Sequence, residues 1–519
     1  MKKHKTLLFT LLSLCALSLS GCSGFLSLFN RSVTVTDLPT TQLKNTYNDY
    51  MNNNFYKLDS TPLVGQPKLL VVPVWFTNSS TYIPVERKAE VRQDIEKAYF
   101  GKSSEVGWRS VATYYQELSN LSLNLKGVVT DWYECDKPSS YFYSEEQGAK
   151  NTVTLVQDVV EYYREHLTYF GYDLNSFDTD GNGYLDGVVL IYGSPDYGAL
   201  KNNNASNMWA YCFWTQQDRG TEEHPVANAF FWASYDFLYG YNTRIGSYSS
   251  GDTSNCKLDT HTYIHEMGHM LGLEDYYDYS GQYVPAGGFS MQDYNVGSHD
   301  PYSVMSFGWT SPMIPTKTMS LKLRPFQSSH DVILLSSRPS QVLSPFDEYL
   351  LLEYYTPTGL NNFDVNYSYM NKYPTGSKTS GIRLWHVDAR LLRIDSRSED
   401  ARVSFATSIN KGYFYTHAFS NTYYSDEAKD YVTPLYDSDP KYANYNILQL
   451  IRNDTHATFE EKTTLSKNDL FLAGDTFKMN TFKKQFVNEG KMNDTHYLGW
   501  SFKVNKITDG EAIVTVTFS

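Results

Sequence analysis

Residues 263–272 read Tyr-Ile-His-Glu-Met-Gly-His-Met-Leu-Gly and contain the pattern His-Glu-x-x-His. On a helix, His265 and His269 lie four residues apart, so both imidazoles project from one face and can bind one zinc ion at about 2.0–2.1 Å. Glu266 lies about 100° further round the helix, where its carboxylate can act as general base on a water that the metal activates. The stretch therefore predicts a helix that carries a zinc site for hydrolysis.

A third protein ligand is expected shortly after the helix. Gly272 lets the chain turn away, and the extended pattern His-Glu-x-x-His-x-x-Gly-x-x-Asp makes Asp275 the predicted third zinc ligand. This repeats the long metzincin spacing with Asp in place of the third His. Three other side chains compete for the same place, namely Glu274, Asp278 and His261. Asp278 can instead orient a ligand, and helix geometry leaves His261 further from the ion.

The segment that follows offers further candidates for the site. Residues 287–291, Gly-Gly-Phe-Ser-Met, resemble the Met-turn of metzincins, in which a methionine forms an apolar floor beneath the metal. The alternative for Met291 is a core methionine after a Gly-Gly turn. Tyr294 and Tyr302 follow closely enough to supply a phenol that stabilises the tetrahedral intermediate, and the sequence does not choose between them.

Residues 178–186 predict a second ion site. Oxygen-bearing side chains alternate along this stretch around a glycine turn, as in an EF-type calcium loop, but Val189 stands where a bidentate acid is expected. The alternative is an Asp/Gly turn without an ion. Because the loop leads into an apolar strand, bound calcium would be structural. The predicted calcium ligands are Asp178, Asp180, Asn182, the Tyr184 carbonyl and Asp186.

The first residues predict export. Three lysines among the first five residues precede an apolar run over residues 7–19, which is too short to span a bilayer. Leu-Ser-Gly-Cys at residues 19–22 resembles the lipobox of bacterial lipoproteins, which implies cleavage before Cys22 and a lipid on its thiol. Residues 1–21 are thus a predicted lipoprotein signal peptide. We expect a lipid-anchored protein on the outer face of a bacterial membrane; the alternative is ordinary secretion.

The remaining chain divides into three predicted parts. Residues 22–60 are rich in Ser, Thr and Asn and are expected to form a tether. Residues 61–315 alternate apolar strands with helical patterns, which indicates an α/β (α+β) domain. The motifs above identify it as the expected metzincin-like zinc peptidase domain. Residues 316–519 carry alternating and β-branched segments between turns, which indicates an all-β, sandwich-like C-terminal domain.

Composition excludes one class of partner and leaves the cysteines without a motif. The 519 residues include 57 acidic and 44 basic side chains, a formal net charge of −13, so we expect no nucleic-acid partner. Once Cys15 and Cys22 are set aside, Cys135, Cys212 and Cys256 match no zinc or redox spacing. The 44 tyrosines suit polar cores and adhesive surfaces equally well.

These motifs together resemble the immune inhibitor A family of secreted bacterial zinc metallopeptidases. The resemblance implies an endopeptidase with catalytic zinc, structural calcium, an appended β domain, and extracellular proteins or peptides as substrates. Two departures are expected, since no long propeptide precedes the domain and the lipobox indicates a cell-tethered enzyme. Besides the zinc-site stretch, the resemblance rests on residues 69–76, 110–115, 178–193, 303–309, 348–353 and 381–388.

Three functional hypotheses follow from the sequence. The leading one is zinc-dependent cleavage of extracellular proteins at the cell surface, with Glu266 as general base. The second is a tyrosine-rich adhesin or binding lipoprotein that keeps the peptidase scaffold without turnover. A narrower version of the first is attack on glycoproteins, with the β domain binding sugar.

Overall fold

The computed structural model describes residues 33–54, 58–239, 258–369, 373–395, 403–422 and 444–519. The predicted signal peptide, Cys22 and Cys256 lie outside these ranges. Within them, no helix is both long enough and apolar enough to span a membrane. The helices are α1 Tyr47–Asn52, α2 Lys88–Phe100, α3 Ser103–Val106, α4 Val111–Leu118, α5 Glu145–His166, α6 Tyr197–Leu200, α7 His261–Met270, α8 Met291–Tyr294, α9 Pro301–Ser306 and α10 Phe326–Ser329.

The strands fall into two groups along the chain. Those before residue 315 are β1 Lys68–Trp75, β2 Lys126–Val129, β3 Tyr133–Glu134, β4 Val188–Tyr192, β5 Tyr211–Trp214 and β6 Ala229–Ser234. Those after it are β7 Met319–Leu323, β8 Val332–Leu335, β9 Glu348–Tyr355, β10 Gly381–Asp388, β11 Leu391–Ile394, β12 Val403–Ala406, β13 Phe414–His417, β14 Leu448–Ile451, β15 Thr476–Lys478, β16 Trp500–Thr508 and β17 Glu511–Phe518.

The first group forms one mixed sheet that carries the helices on its faces. Its strand order is β2-β1-β4-β6-β5, with β3 pairing to β1. All pairings are parallel except that of β5, which runs antiparallel to β6 and ends the sheet. The strands β1 and β4 are buried on both faces, as their continuous apolar runs require. This is the mixed α/β architecture that the sequence predicts.

The second group, residues 316–519, is called the β-rich part below. Its strands form three antiparallel sheets, with orders β14-β10-β9-β8, β12-β11-β13 and β15-β16-β17-β7. Leu350 and Leu352 of β9 share a buried cluster with Val514 and Val516 of β17. Two four-stranded sheets therefore pack on a common core, as in a sandwich.

The sheet that contains β9 is buried on its other face as well. Every residue of β9 and β10 is buried. Tyr349 and Leu351 belong to the largest buried cluster, called the main core, which also contains Ile264 of α7 and Val71 of β1. Because successive strand residues face opposite sides, this sheet is a middle layer between the outer sheet and the peptidase fold. The two predicted domains thus share one core, and the expected boundary near residue 315 does not separate them.

The N-terminal segment differs from the predicted tether. Val35 pairs with Ser320 of β7, and α1 buries Tyr47, Tyr50 and Met51 in the main core. These three side chains lie at helical spacing, on one face of α1. Their burial stabilises the folded chain, which a solvated linker does not do. Within the predicted tether, residues 43–54 and 58–60 are therefore part of the folded body.

Candidate metal centre

The centre is built on α7, which begins at His261 and ends at Met270. Gly272 follows with φ 113°, a left-handed conformation that turns the chain away from the helix axis. Gly268 allows a close approach on the inner side, because a Cβ there would lie 2.2 Å from Gln292 Oε1. These two glycines let the chain fold back and bring the following loop against the helix.

Three side chains converge at the open face of α7. The Nε2 atoms of His265 and His269 lie 3.0 Å apart, and Asp275 Oδ1 lies 3.1 Å and 3.3 Å from them, respectively. Among the residues that the structure describes, this is the group of histidine and acidic ligands that could hold a metal ion. The structure thus brings together the three residues that the sequence proposed as zinc ligands.

The proton positions on the two imidazoles follow from their other contacts. Nδ1 of His265 lies 2.8 Å from the Met291 carbonyl, and Nδ1 of His269 lies 2.8 Å from the Leu273 carbonyl. A carbonyl only accepts, so each Nδ1 carries a proton, and in the neutral form of each ring Nε2 is the nitrogen that can bind a metal. Asp275 Oδ1 is buried and has no hydrogen-bond partner. Two imidazole nitrogens and a carboxylate oxygen that face one another fit a bound cation, and zinc suits this N₂O set.

A tyrosine that the sequence analysis missed supports Asp275. The Tyr279 hydroxyl donates to Asp275 Oδ2 at 2.5 Å, which leaves Oδ1 free to face the histidines. The ring of Tyr277 lies 6.4 Å from that of His265. Both tyrosines occupy an irregular loop, where no periodic pattern marks them. The spacing of four residues between Asp275 and Tyr279 was the only signal available.

Glu266 lies beside the three ligands without joining them. It is 5% exposed, and its Oε2 atom has no hydrogen-bond partner. Burial raises the pKa of this carboxyl, and a backbone hydrogen bond from Cys212 on β5 opposes the shift. A carboxyl with a raised pKa and a free oxygen is suited to take up a proton and release it again.

The competing third ligands have other positions. Asp278 closes a turn, because its carboxylate accepts from the backbone N–H groups of Ser280 and Gln282. His261 is held between two carboxylates at the start of α7. Among the described residues, Glu274 does not belong to the group of side chains whose ligand atoms converge. Of the four candidates, Asp275 is the one whose oxygen meets both histidines.

Met291 begins α8 and is fully buried in the main core. Its carbonyl, rather than its sulfur, makes the described contact with the centre, through Nδ1 of His265. The loop thus orients a ligand by its backbone. The floor role of the side chain stays a prediction.

The two tyrosines proposed to stabilise the intermediate lie elsewhere. The Tyr302 side chain is fully buried, and its hydroxyl lies 3.0 Å from that of Tyr47. A phenol enclosed in this way has no route to a substrate, so the structure does not support the role predicted for Tyr302. Tyr294 is partly buried against the ring of Tyr373, at 6.3 Å, and burial raises its pKa to about 12. Its role stays a prediction.

The loop over residues 178–186 closes on itself. Asp178 accepts from the N–H groups of Asn182 and Gly183, and Asn182 Oδ1 accepts from the N–H of Tyr184. Asp186 accepts from Thr179 and from the N–H of Lys68, and burial raises its pKa to about 6. Asp180 accepts from Asn182 as well. These bonds hold the loop as a turn, and calcium binding stays a prediction.

Comparisons with known proteins bear on the region around the centre. Residues 92–299 match the family "immune inhibitor A peptidase M6, catalytic domain". Two curated proteins, Pre-pro-metalloprotease PrtV of Vibrio cholerae serotype O1 strain M66-2 and of strain El Tor Inaba N16961, are each 24% identical over 216 residues. The matched part is 38% of this chain and only 22% of the length of these relatives. The resemblance inferred from the sequence is therefore confirmed for the region that contains His265, Glu266, His269 and Asp275.

Proposed function

We propose that this chain, a match to the immune inhibitor A peptidase M6 catalytic domain over residues 92–299, is a zinc-dependent endopeptidase. The family match implies metallopeptidase activity. The observation that carries the finer proposal is the convergence of His265 Nε2, His269 Nε2 and Asp275 Oδ1 within 3.0–3.3 Å of one another.

The residues of the chain supply the remaining parts of the reaction. His265, His269 and Asp275 would hold the zinc ion, which would supply the Lewis acidity that polarises a scissile carbonyl and lowers the pKa of a water. Glu266 accepts the proton of the attacking water, for which its buried, unpaired Oε2 is available. The same carboxyl then returns that proton to the leaving amine. Met291 and Leu273 keep the two imidazoles in the tautomer that presents Nε2 to the metal.

An extended substrate has a surface to pair with beside the centre. β5 is the edge strand of the first sheet. It pairs with β6 on one side, and no strand of the described part of the chain pairs with it on the other. Cys212 of this strand contacts Glu266 through its backbone, so the open edge runs past the general base. The free N–H and C=O groups of an edge strand bind an extended peptide regardless of its side chains. This geometry supports protein and peptide substrates; restriction to glycoproteins is a narrower proposal.

The experiment compares wild type with Glu266→Gln on unfolded casein. We expect the variant to lose at least about a hundredfold in turnover, since general base catalysis contributes 10²–10⁴-fold. Zinc content and the unfolding temperature should stay unchanged, because Glu266 is not a ligand. Equal turnover in both proteins would refute the proposal. No turnover in wild type with zinc bound would favour the binding lipoprotein, which has no need of a general base.

The proposal extends to the cellular location of the enzyme. We propose that a lipid on Cys22 tethers the enzyme to the outer face of the membrane, a proposal that rests on the lipobox-like residues 19–22. Cys22→Ala should release the protein into the medium; continued membrane attachment would contradict it.

We further propose that residues 178–186 bind calcium. This is tested by measuring the unfolding temperature of wild type and of Asp180→Asn as calcium is added. A shift in wild type that the variant loses would support the site.

A further inference from the structure

We propose that the β-rich part positions the metal ligands through two buried contacts. One runs from Asp364 to the first turn of α7, and the other runs from Arg383 to the loop before Met291. The inference rests on the proposed function, because both contacts lead to the same metal centre. Asp364 and Arg383 touch no metal ligand side chain, so they are positioning residues.

The first contact holds His261, which lies one helical turn before His265. His261 Nε2 is 3.0 Å from Asp364 Oδ1, and its Nδ1 is 2.8 Å from Asp259 Oδ1. All three side chains are at most 1% exposed. Burial alone would lower the pKa of His261, but the two carboxylates outweigh it and raise the pKa to about 10. The ring is thus an imidazolium that donates to both acids.

Aromatic rings enclose the same imidazolium. Trp108 stacks on His261 with ring centroids 4.4 Å apart, and Tyr369 stacks on it at 4.4 Å as well. The Tyr369 hydroxyl lies 2.9 Å from Thr262 Oγ1, on the next residue of the helix. Cation–π attraction of this kind is strongest in a desolvated site. Asp364 and Tyr369, both from the β-rich part, therefore fix the start of α7 from one side.

The second contact acts on the loop that orients His265. Arg383 of β10 donates from Nη1 to the Phe289 carbonyl at 3.0 Å and from Nε to Glu353 Oε1 at 2.6 Å. Its side chain is 1% exposed. Two residues after Phe289, the Met291 carbonyl accepts from Nδ1 of His265. The guanidinium thus anchors the short segment whose carbonyl sets the orientation of a ligand ring.

The two contacts act on the same ligand through two different segments, the first turn of α7 and the loop before Met291. Asp364 holds the helical turn before His265, and Arg383 holds the segment whose Met291 carbonyl orients the His265 imidazole. Metal affinity depends on groups of this kind, because ligands must stay within about 0.5 Å of the binding geometry. Since the sheet that holds Arg383 is a middle layer of the fold, its position is fixed by cores on both faces.

The test measures zinc affinity by chelator competition in the full chain, together with the visible absorption spectrum of the Co²⁺-substituted protein. Asp364→Asn is compared with the matched control Asp388→Asn. Asp388 is likewise fully buried in the β-rich part and paired with a cation, Arg390, at 2.7 Å and 2.8 Å, but it has no described contact with α7 or the loop. Both variants remove one buried carboxylate charge, so a general loss of stability affects both.

We expect Asp364→Asn to weaken zinc binding roughly tenfold and to change the Co²⁺ spectrum. Asp388→Asn should stay within about twofold of wild type in affinity, with an unchanged spectrum. The inference would be overturned if both variants matched wild type in affinity and spectrum. It would also be overturned if Asp388→Asn weakened zinc binding as much as Asp364→Asn.

A second variant covers the case in which Asp364→Asn does not fold. The double variant Arg383→Met, Glu353→Gln removes the ion pair without leaving an unpaired buried charge, a change that proteins often tolerate. The glutamine can still accept from Trp385 Nε1, which donates to Glu353 Oε1 at 2.9 Å. We expect its zinc affinity to fall roughly tenfold; wild-type affinity and spectrum would contradict the inference.

The outcomes separate this inference from the proposed function. If wild type binds no zinc or does not cleave casein, the proposed function fails. If wild type binds zinc and cleaves casein while the Asp364 and Arg383 variants match it in affinity and spectrum, only the positioning role fails. A fall in kcat with unchanged KM in the folded variants would further support misplaced ligands rather than a damaged substrate surface.

Discussion

The Nε2 atoms of His265 and His269 face each other at 3.0 Å, and the proton of each ring is committed to a backbone carbonyl on its far side. Asp275 Oδ1 completes the group at 3.1 Å and 3.3 Å from the two nitrogens. A divalent cation bound between these three atoms would accept a lone pair from each of them.

Asp275 rather than Glu274 should hold the metal. We expect Asp275→Ala to weaken zinc binding by more than about a hundredfold, because it removes a ligand outright. Glu274→Ala, a change of the adjacent acid, should stay within about threefold of wild type. Chelator competition on the purified variants measures both. The reverse order of the two losses would show that the third ligand has been assigned wrongly.

Tyr279 should matter more to the metal than Tyr294. Tyr279→Phe removes the hydroxyl that donates to Asp275 Oδ2, so the carboxylate loses the bond that orients it. Loss of such a supporting bond commonly costs 10–100-fold, and we expect about tenfold weaker zinc binding. Tyr294→Phe serves as the control, with unchanged affinity. If Tyr294→Phe instead lowers kcat about tenfold without affecting zinc, its predicted part in stabilising the intermediate gains support.

His417 should make the fold sensitive to acid. Burial lowers its pKa from 6.5 to about 3, so between these values the unfolded chain binds a proton that the folded chain does not. Stability from this group is present above pH 6.5 and is lost as pH falls towards 3. At pH 4.5 the loss amounts to about 2–3 kcal/mol.

His417→Gln removes this titration and keeps a polar side chain beside the Tyr47 hydroxyl, which lies 3.3 Å from Nε2. Urea unfolding at pH 7 and pH 4.5 gives the free energy of unfolding of each protein. We expect wild type to lose about 2–3 kcal/mol more than the variant over this range. Parallel pH profiles would show that His417 does not stay neutral in the folded protein.

The peptidase part should not fold alone. The main core contains side chains from both sides of residue 315, so a fragment that ends there exposes apolar surface that the full chain buries. We expect a chain of residues 33–315 to lack near-ultraviolet circular dichroism and to bind zinc at least about a hundredfold more weakly than residues 33–519. A fragment with native-like spectra and zinc affinity would show that the two parts are independent domains.

The proposed zinc ligands could be identified from the sequence because their spacing is local. The helix places His265 and His269 on one face, and the turn after Gly272 sets the distance to Asp275. Asp364 could not be found in this way, since it lies 103 residues beyond His261, its partner in the fold. No periodicity relates two residues so far apart in the chain.

The shared core was also missed, although part of its signal was present. All eight residues of β9 and of β10 are buried, and the apolar run over residues 349–352 of β9 is typical of a strand covered on both faces. Tyr47, Tyr50 and Met51 likewise have helical spacing within the predicted tether. The polar composition of residues 22–60 outweighed that spacing in the prediction. Which surface covers each face is decided by tertiary packing, which the local pattern does not contain.

X-ray absorption at the zinc K-edge tests the central claim most directly, because it reports the atoms bound to the metal in the protein as isolated. We predict one zinc per chain with two imidazole nitrogens and oxygen ligands at about 2.0–2.2 Å, and the loss of one imidazole contribution in His269→Ala. A protein that carries no zinc, a spectrum dominated by sulfur at about 2.3 Å, or a spectrum unchanged in His269→Ala would contradict the account.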